Sequence, residues 1–252
     1  MQSLDGEDRA ELPPINWREK CHTQFKEQLA ANRRRRQATE QAFELDIHVP
    51  LGLVEHKQQS RRRSEDISPE KGMQAYQLTQ EVIAKTYQHN EFLDEVIGGI
   101  NTQVKRIAII GEPGAGKTTI SEKIGEYLIE RDGLPIYIPA SNLLDTTLKQ
   151  YLLNKWLETP ITESQLEELL HQQVWLLLDG VDEMACSSPT EFLSQQLAEF
   201  RQAFRQVRVV LTCRLNVWDA STKNLPDFQT YKTQEFSLEQ VQTFILAWFQ
   251  CA

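Results

Sequence analysis

From Arg106 onward the chain alternates between short apolar runs and amphipathic stretches. Arg106-Ile107-Ala108-Ile109-Ile110 is nearly all apolar, as expected of a strand buried on both faces of a parallel sheet. Thr119 to Arg131 follows with helical spacing, and Gly133 is placed to end it as a C′ residue. Leu134 to Pro139 reads as a second strand. Leu143 to Leu157 and Glu163 to Gln172 read as helices, the latter with Thr162 as N-cap. Val174 to Leu178 is a third strand, and Pro189 to Phe204 a helix with Ser188 as N-cap and proline at N1. Val207 to Thr212 is a fourth strand and Thr230 to Phe236 a fifth. Ser237 caps a last helix running to Phe249. Strands alternating with helices imply right-handed crossovers and a doubly wound, mainly parallel sheet.

Residues 1 to about 90 have a different character. They are polar and rich in Gln, Glu and Arg, and they read as a mostly helical extension. Trp17 to Ala42 carries Trp17, Cys21, Phe25 and Leu29 at helical intervals. Asp46 to Val54 reads as a short extended piece with a Pro-Gly break, and Ser68 to Gly72 as a turn. Gln74 to Thr86 reads as a second helix through Ala75, Leu78, Val82 and Ile83. The expected division is therefore 1–90 extension, 91–236 core and 237–252 a final helical piece.

Composition narrows the function classes. With 252 residues and 40% hydrophobic content there is material for one substantial core. A formal net charge of -9 argues against a basic nucleic-acid coat. The four cysteines (Cys21, Cys186, Cys213 and Cys251) lie far apart with no CxxC pair, so neither a disulfide framework nor a zinc site is indicated. No apolar run approaches a membrane span, and the acidic N-terminus lacks the apolar segment of a signal peptide. A cytoplasmic protein without membrane contact is the expectation.

The chemistry starts at Gly111-Glu112-Pro113-Gly114-Ala115-Gly116-Lys117-Thr118, which fits G-x-x-x-x-G-K-[ST] at every fixed position. Glycines allow positive φ and close backbone approach to phosphate oxygens. Successive N–H groups form an anion nest, and the helix beginning near Lys117 adds its N-terminal dipole. Lys117 supplies a charge for the β- and γ-phosphates, Thr118 a hydroxyl for Mg²⁺, and Thr119 continues the loop into the helix. The motif lies between an apolar strand and a helix, the context it requires. The expected fold is accordingly a P-loop NTPase: three-layer α/β/α, with a five-stranded sheet in the order 5-1-4-3-2.

Such a site also needs carboxylates at the C-terminal edge of the sheet. Val174 to Leu178 delivers Asp179 there, the candidate metal-side acid. Gly180-Val181-Asp182-Glu183 follows. Glu183 is the first choice for polarising the attacking water, and Asp182 competes for that role. Arg214, at the end of the fourth strand, is placed to reach a γ-phosphate.

Taken together, three blocks resemble a NACHT module of the STAND class of P-loop ATPases. They are Ile109 to Thr119, Leu176 to Glu183, and Leu211-Thr212-Cys213-Arg214. The second is the most discriminating, with a small residue after the metal-side aspartate and two acids beyond. The third is similar to the family's sensor segment, with Cys213 where serine is common. The resemblance implies a regulatory ATPase that uses ATP/ADP with Mg²⁺, in which ADP holds a closed monomer and exchange for ATP permits self-association. Members continue into a helical lid, a winged-helix domain and a sensor array. Residues 237–252 correspond to the start of the lid, so partner chains or further domains would complete the switch.

Other features carry less. Arg33–Arg36 and Arg61–Arg63 read as solvated faces more readily than as nucleic-acid contacts. Phe244, Ile245, Leu246, Trp248 and Phe249 make the last helix apolar and leave it exposed unless a lid covers it. The resemblance implies that Phe92 or Ile97 packs near the adenine base, with ordinary core packing as the alternative. The five histidines show no ligand spacing. No Asn-Lys-x-Asp motif is present, which favours ATP over GTP. The competing functions are a slow hydrolysing switch, a nucleotide-binding module that does not turn over, and an AAA+-like motor on nucleic acid.

Overall fold

The computed structural model describes residues 15–39, 53–57, 82–99, 105–184, 189–221 and 227–234, with 225, 238, 241, 242, 245 and 246. Strand β1 is Leu53–Lys57, β2 Val82–Tyr87, β3 Arg106–Gly111, β4 Leu134–Pro139, β5 Val174–Asp179, β6 Arg208–Arg214 and β7 Gln229–Thr233. They form a 7-stranded sheet in the order β2-β1-β7-β3-β6-β5-β4. The five core strands are parallel and stand in the expected order. The sheet is larger than the expected five strands, because β1 and β2 from the N-terminal region add to it antiparallel beside β7.

That addition corrects the helix expected over Gln74 to Thr86, whose first part lies outside the described residues. Val82, Ile83 and Thr86 are β-branched and lose side-chain freedom in a helix, and an exposed flank on β1 offers them ladder hydrogen bonds. Of the extended piece expected over Asp46 to Val54, Leu53 and Val54 belong to β1, and residues 46–52 lie outside the described residues.

Side chains alternate across the sheet and build two cores. Ala108, Ile110, Leu176 and Leu178 face one side with Trp156, Leu169, Leu193 and Trp218. Ile107, Ile109, Trp175 and Leu177 face the other with Ile120, Ile124 and Phe92. Helix α1 is Trp17–Thr39, α2 His89–Phe92, α3 Lys117–Glu130, α4 Leu148–Asn154, α5 Glu163–Leu170, α6 Pro189–Ala203 and α7 Leu215–Ser221. The arrangement is three-layered, with α3 and the 89–97 segment on one face and α4 to α7 on the other. Phe92 and Ile97 are fully buried, and Phe92 packs edge-on against Tyr87 and Tyr231. Of the two places open to them in the sequence, both occupy the core.

Helix boundaries follow local capping. Thr147 accepts from Gln150 N, so α4 starts at Leu148, later than the expected Leu143; residues 140–143 form a separate 3₁₀ turn. Thr162 caps α5 as expected. Helix α3 ends in a Schellman turn, with Gly133 N donating to Leu128 O and Asp132 N to Ile129 O. The left-handed C′ residue is Asp132, at φ 59, and not the expected Gly133. Ser188 lies outside the described residues.

Helix α1 packs along β4, the edge strand. Trp17, Cys21 and Phe25 are buried. His22 Nε2 lies 2.9 Å from the Gly133 carbonyl oxygen. A Cβ on Gly125 of α3 would fall 2.1 Å from the Phe25 ring, so glycine in mid-helix is what lets α1 approach.

Candidate functional site

The loop after β3 has the backbone its glycines permit. Gly114 and Gly116 adopt φ 78 and φ 67, and a Cβ on Gly114 would meet nothing within 4 Å. Gly111 has a different reason for being glycine: its Cβ would lie 2.0 Å from Oγ1 of Thr233 on β7. Gly116 is the N-cap of α3, so Lys117, Thr118 and Thr119 form its first turn, where N–H groups point out of the helix. Glu112, Pro113 and Gly114 are exposed, and Ala115 to Thr119 are half-buried. Lys117 Nζ donates to the carbonyls of Gly111 and Glu112, at 3.1 and 2.8 Å. Burial lowers the Lys117 pKa; Asp182 opposes the shift and Arg214 adds to it.

Asp179 ends β5, held on both oxygens. Thr212 Oγ1 donates to Oδ1 at 2.6 Å and Tyr137 Oη donates to Oδ2 at 2.7 Å. Gly180 N in turn donates to Thr212 Oγ1 at 2.8 Å. Burial, and then the Asp179 charge, push the Tyr137 phenol well above its usual range, so it stays a donor. Thr212 and Tyr137 were not singled out in the sequence. Their signal was a polar atom near the C-terminal end of an otherwise apolar strand, which a satisfied hydroxyl in any sheet also shows.

Gly180 turns the chain at φ 72 into a short 3₁₀ turn, Val181–Glu183. Asp182, with a side chain 4% exposed, accepts from Arg214 N at 2.9 Å and meets Arg214 Nε at 2.7 Å. The Glu183 carboxylate makes no hydrogen bond to any described residue and lies against Gly180. Its pKa is raised by burial first and then by Asp182 and Asp179, while Arg214 and Lys117 pull it back. Lys117, Asp179, Asp182, Glu183 and Arg214 thus lie near enough at the C-terminal edge of the sheet to act on one another's charge. Cys213, beside them, is buried, and its thiol is pushed up to about 12.

The donors suit Mg²⁺. Asp179 and the Thr118 hydroxyl carry hard oxygen donors, and Thr212 and Tyr137 each occupy one lone pair per carboxylate oxygen, leaving others that could take an ion or its waters. Among the described residues no cluster of three His, Cys, Asp or Glu side chains forms a softer metal centre.

The remaining sequence candidates fall elsewhere. Arg36 pairs with Glu122, while Arg33 to Arg35 are exposed; Arg61–Arg63 lie outside the described residues. Leu238, Val241, Ile245 and Leu246 are exposed in the last helical stretch, whose Phe244, Trp248 and Phe249 lie outside them. Among the described residues no helix is long and apolar enough to cross a membrane.

The family model of the NACHT domain matches residues 105–252. The chain belongs to the NACHT family. Its P-loop core is a nucleotide-binding NTPase domain. No curated protein matches the chain. Among solved structures it is similar to AMPPCP-bound DnaA from Aquifex aeolicus, at 14% identity and TM-score 0.43, over 73% of this chain and 53% of that one. It is also similar to domain III of the Thermotoga maritima replication initiation protein DnaA, at 16% identity and TM-score 0.42, over 73% of this chain and 70% of that one. The NACHT chain thus spans about half the length of the first of these.

Proposed function

We propose that this NACHT chain binds ATP and hydrolyses it slowly with Mg²⁺, as a regulatory switch in signalling. One observation carries the reading: Asp182 is engaged by Arg214 through two contacts, whereas Glu183, next to it in the same turn, keeps its carboxylate unbonded among the described residues. A water-orienting base needs an accessible lone pair, so the pattern supports Glu183 in that role and Asp182 as the residue that positions Arg214.

In this reading the N–H groups of Gly114 to Thr119 bind the phosphates. Lys117 exchanges the Gly111 and Glu112 carbonyls for β- and γ-phosphate oxygens. Thr118 and Asp179 hold Mg²⁺, which when bound neutralises charge developing on the phosphates. Arg214, half exposed, senses the γ-phosphate. The exposed apolar side chains Leu238, Val241, Ile245 and Leu246 support self-association or partner segments at that end. A cytoplasmic setting accompanies the proposal.

Single-turnover ATP hydrolysis tests it. Glu183→Gln is expected to slow the chemical step at least a hundredfold while retaining ATP. Hydrolysis as fast as wild type removes Glu183 from the role, and lack of ATP binding by the wild-type chain overturns the whole reading.

A further inference from the structure

The N-terminal helix α1 reaches the metal-side carboxylate through a continuous chain of polar contacts. Arg36 Nη2 bonds both oxygens of Glu122, at 3.0 and 2.9 Å. Asn32 Nδ2 donates to Glu122 Oε1 at 3.0 Å and to Tyr137 Oη at 3.3 Å. Tyr137 Oη donates to Asp179 Oδ2 at 2.7 Å. Gln28 Nε2 steadies the Asn32 amide from one turn away, at 3.1 Å to Oδ1. Glu122 stands one helical turn after Thr118 on α3, so the relay brackets both proposed Mg²⁺ ligands.

The contacts are seated by packing. Phe25 sits against Gly125 and packs edge-on against the Tyr137 ring, at 6.2 Å between centroids. The Glu122 side chain is 10% exposed, so its charge requires the partners α1 supplies. Asn32 gives its N–H to the phenol oxygen, which leaves the phenol hydrogen for Asp179.

We propose that α1 is a positioning element of the nucleotide site, in which Asn32 and Tyr137, anchored by Arg36 and Glu122, orient Asp179 for Mg²⁺. This rests on the reading of Asp179 as the metal-side acid. Docking of α1 and loading of Mg²⁺-nucleotide are then linked, and by reciprocity each strengthens the other. The region ahead of the P-loop core thereby reads the occupancy of the site.

The test measures ATP affinity of the full chain by calorimetry, with excess Mg²⁺ and with EDTA, for wild type, Tyr137→Phe, Asn32→Leu and Asp179→Asn. Tyr137→Phe keeps the ring against Phe25 and deletes one hydroxyl, so the fold survives even if Asn32→Leu loosens α1. Tyr137→Phe and Asn32→Leu are each expected to lose about three- to tenfold of the Mg²⁺ enhancement, the worth of one or two hydrogen bonds, with affinity in EDTA unchanged. Asp179→Asn is expected to abolish the enhancement. If Asp179→Asn abolishes it and Tyr137→Phe behaves as wild type, the positioning role is overturned and the metal site stands. A Tyr137→Phe loss that is equal in EDTA also overturns it, since that is a structural effect. If Asp179→Asn retains the enhancement, or wild type shows none, both readings fall. Amide exchange gives the reciprocal measure: residues 28–36 should exchange more slowly with Mg²⁺-ATP than with ATP in EDTA, and equal rates overturn the linkage.

Discussion

Arg214 holds Asp182 twice, through its backbone N–H to Oδ1 at 2.9 Å and through Nε to Oδ2 at 2.7 Å. The two residues come from different strand ends, β6 and the turn after β5. The contact therefore ties the acidic turn to the neighbouring strand at the mouth of the site. The carboxylate is almost fully covered while the guanidinium is about half exposed. Losing one partner is consequently costlier for Asp182 than for Arg214.

Arg214→Ala should leave the Asp182 carboxylate covered with one hydrogen bond in place of two contacts. The expected loss is about 1 kcal/mol, discounted for the exposed side of the pair, and urea denaturation reads it. Arg214→Ala, Asp182→Asn together should lose less than the sum of the single variants, since the buried charge disappears with its partner.

Gly114→Ala separates folding from binding. Its φ of 78 strains any Cβ, but the space around that Cβ is open. Stability should fall by only about 1–2 kcal/mol, while ATP affinity should fall at least tenfold as the methyl enters the phosphate cradle. Denaturation and calorimetry on one preparation check both halves.

Gly125→Ala gives the opposite pattern. Alanine favours the helix by roughly 1 kcal/mol, yet here the Cβ would lie 2.1 Å from Phe25. Displacement of α1 should dominate, with a net loss of about 1–3 kcal/mol and faster proteolysis within residues 17–39.

The raised Glu183 pKa predicts a pH dependence of known sign. A base works deprotonated, so single-turnover hydrolysis should fall as pH drops through a midpoint above the ordinary glutamate value of 4.5. For stability, a pKa raised on folding favours the protonated form. That contribution is present below the unfolded pKa and lost as pH rises through the folded one. Glu183→Gln should therefore be more stable than wild type at neutral pH, and the difference should shrink in acid; melts at several pH values test it.

Much of this was legible because the signals are local. Strands β3 to β6 announce themselves as apolar runs, and a phosphate loop must place its glycines, lysine and threonine at fixed spacing because backbone atoms do the binding. Asp179 was legible as a candidate because the residue ending a buried parallel strand lies at the ligand edge, and it does end β5. Val82 to Tyr87 went the other way: a few apolar residues satisfy a helical or an extended pattern equally, and only pairing with β1 decides between them. Asp132 was missed for a similar reason, since either residue of Asp-Gly can end a helix.

By itself, then, the sequence determined the alternation of strands and helices in the NTPase core and the glycine-rich loop between β3 and α3, both written in nearest-neighbour chemistry. Only the tertiary structure decided that Asp182 pairs with Arg214 while Glu183 stays available, and that Asn32 reaches Asp179 through Tyr137. Those contacts join residues 32 to 105 positions apart in the chain. They depend on which strands lie side by side and on how closely α1 can approach α3, and no local pattern of polar and apolar residues records either.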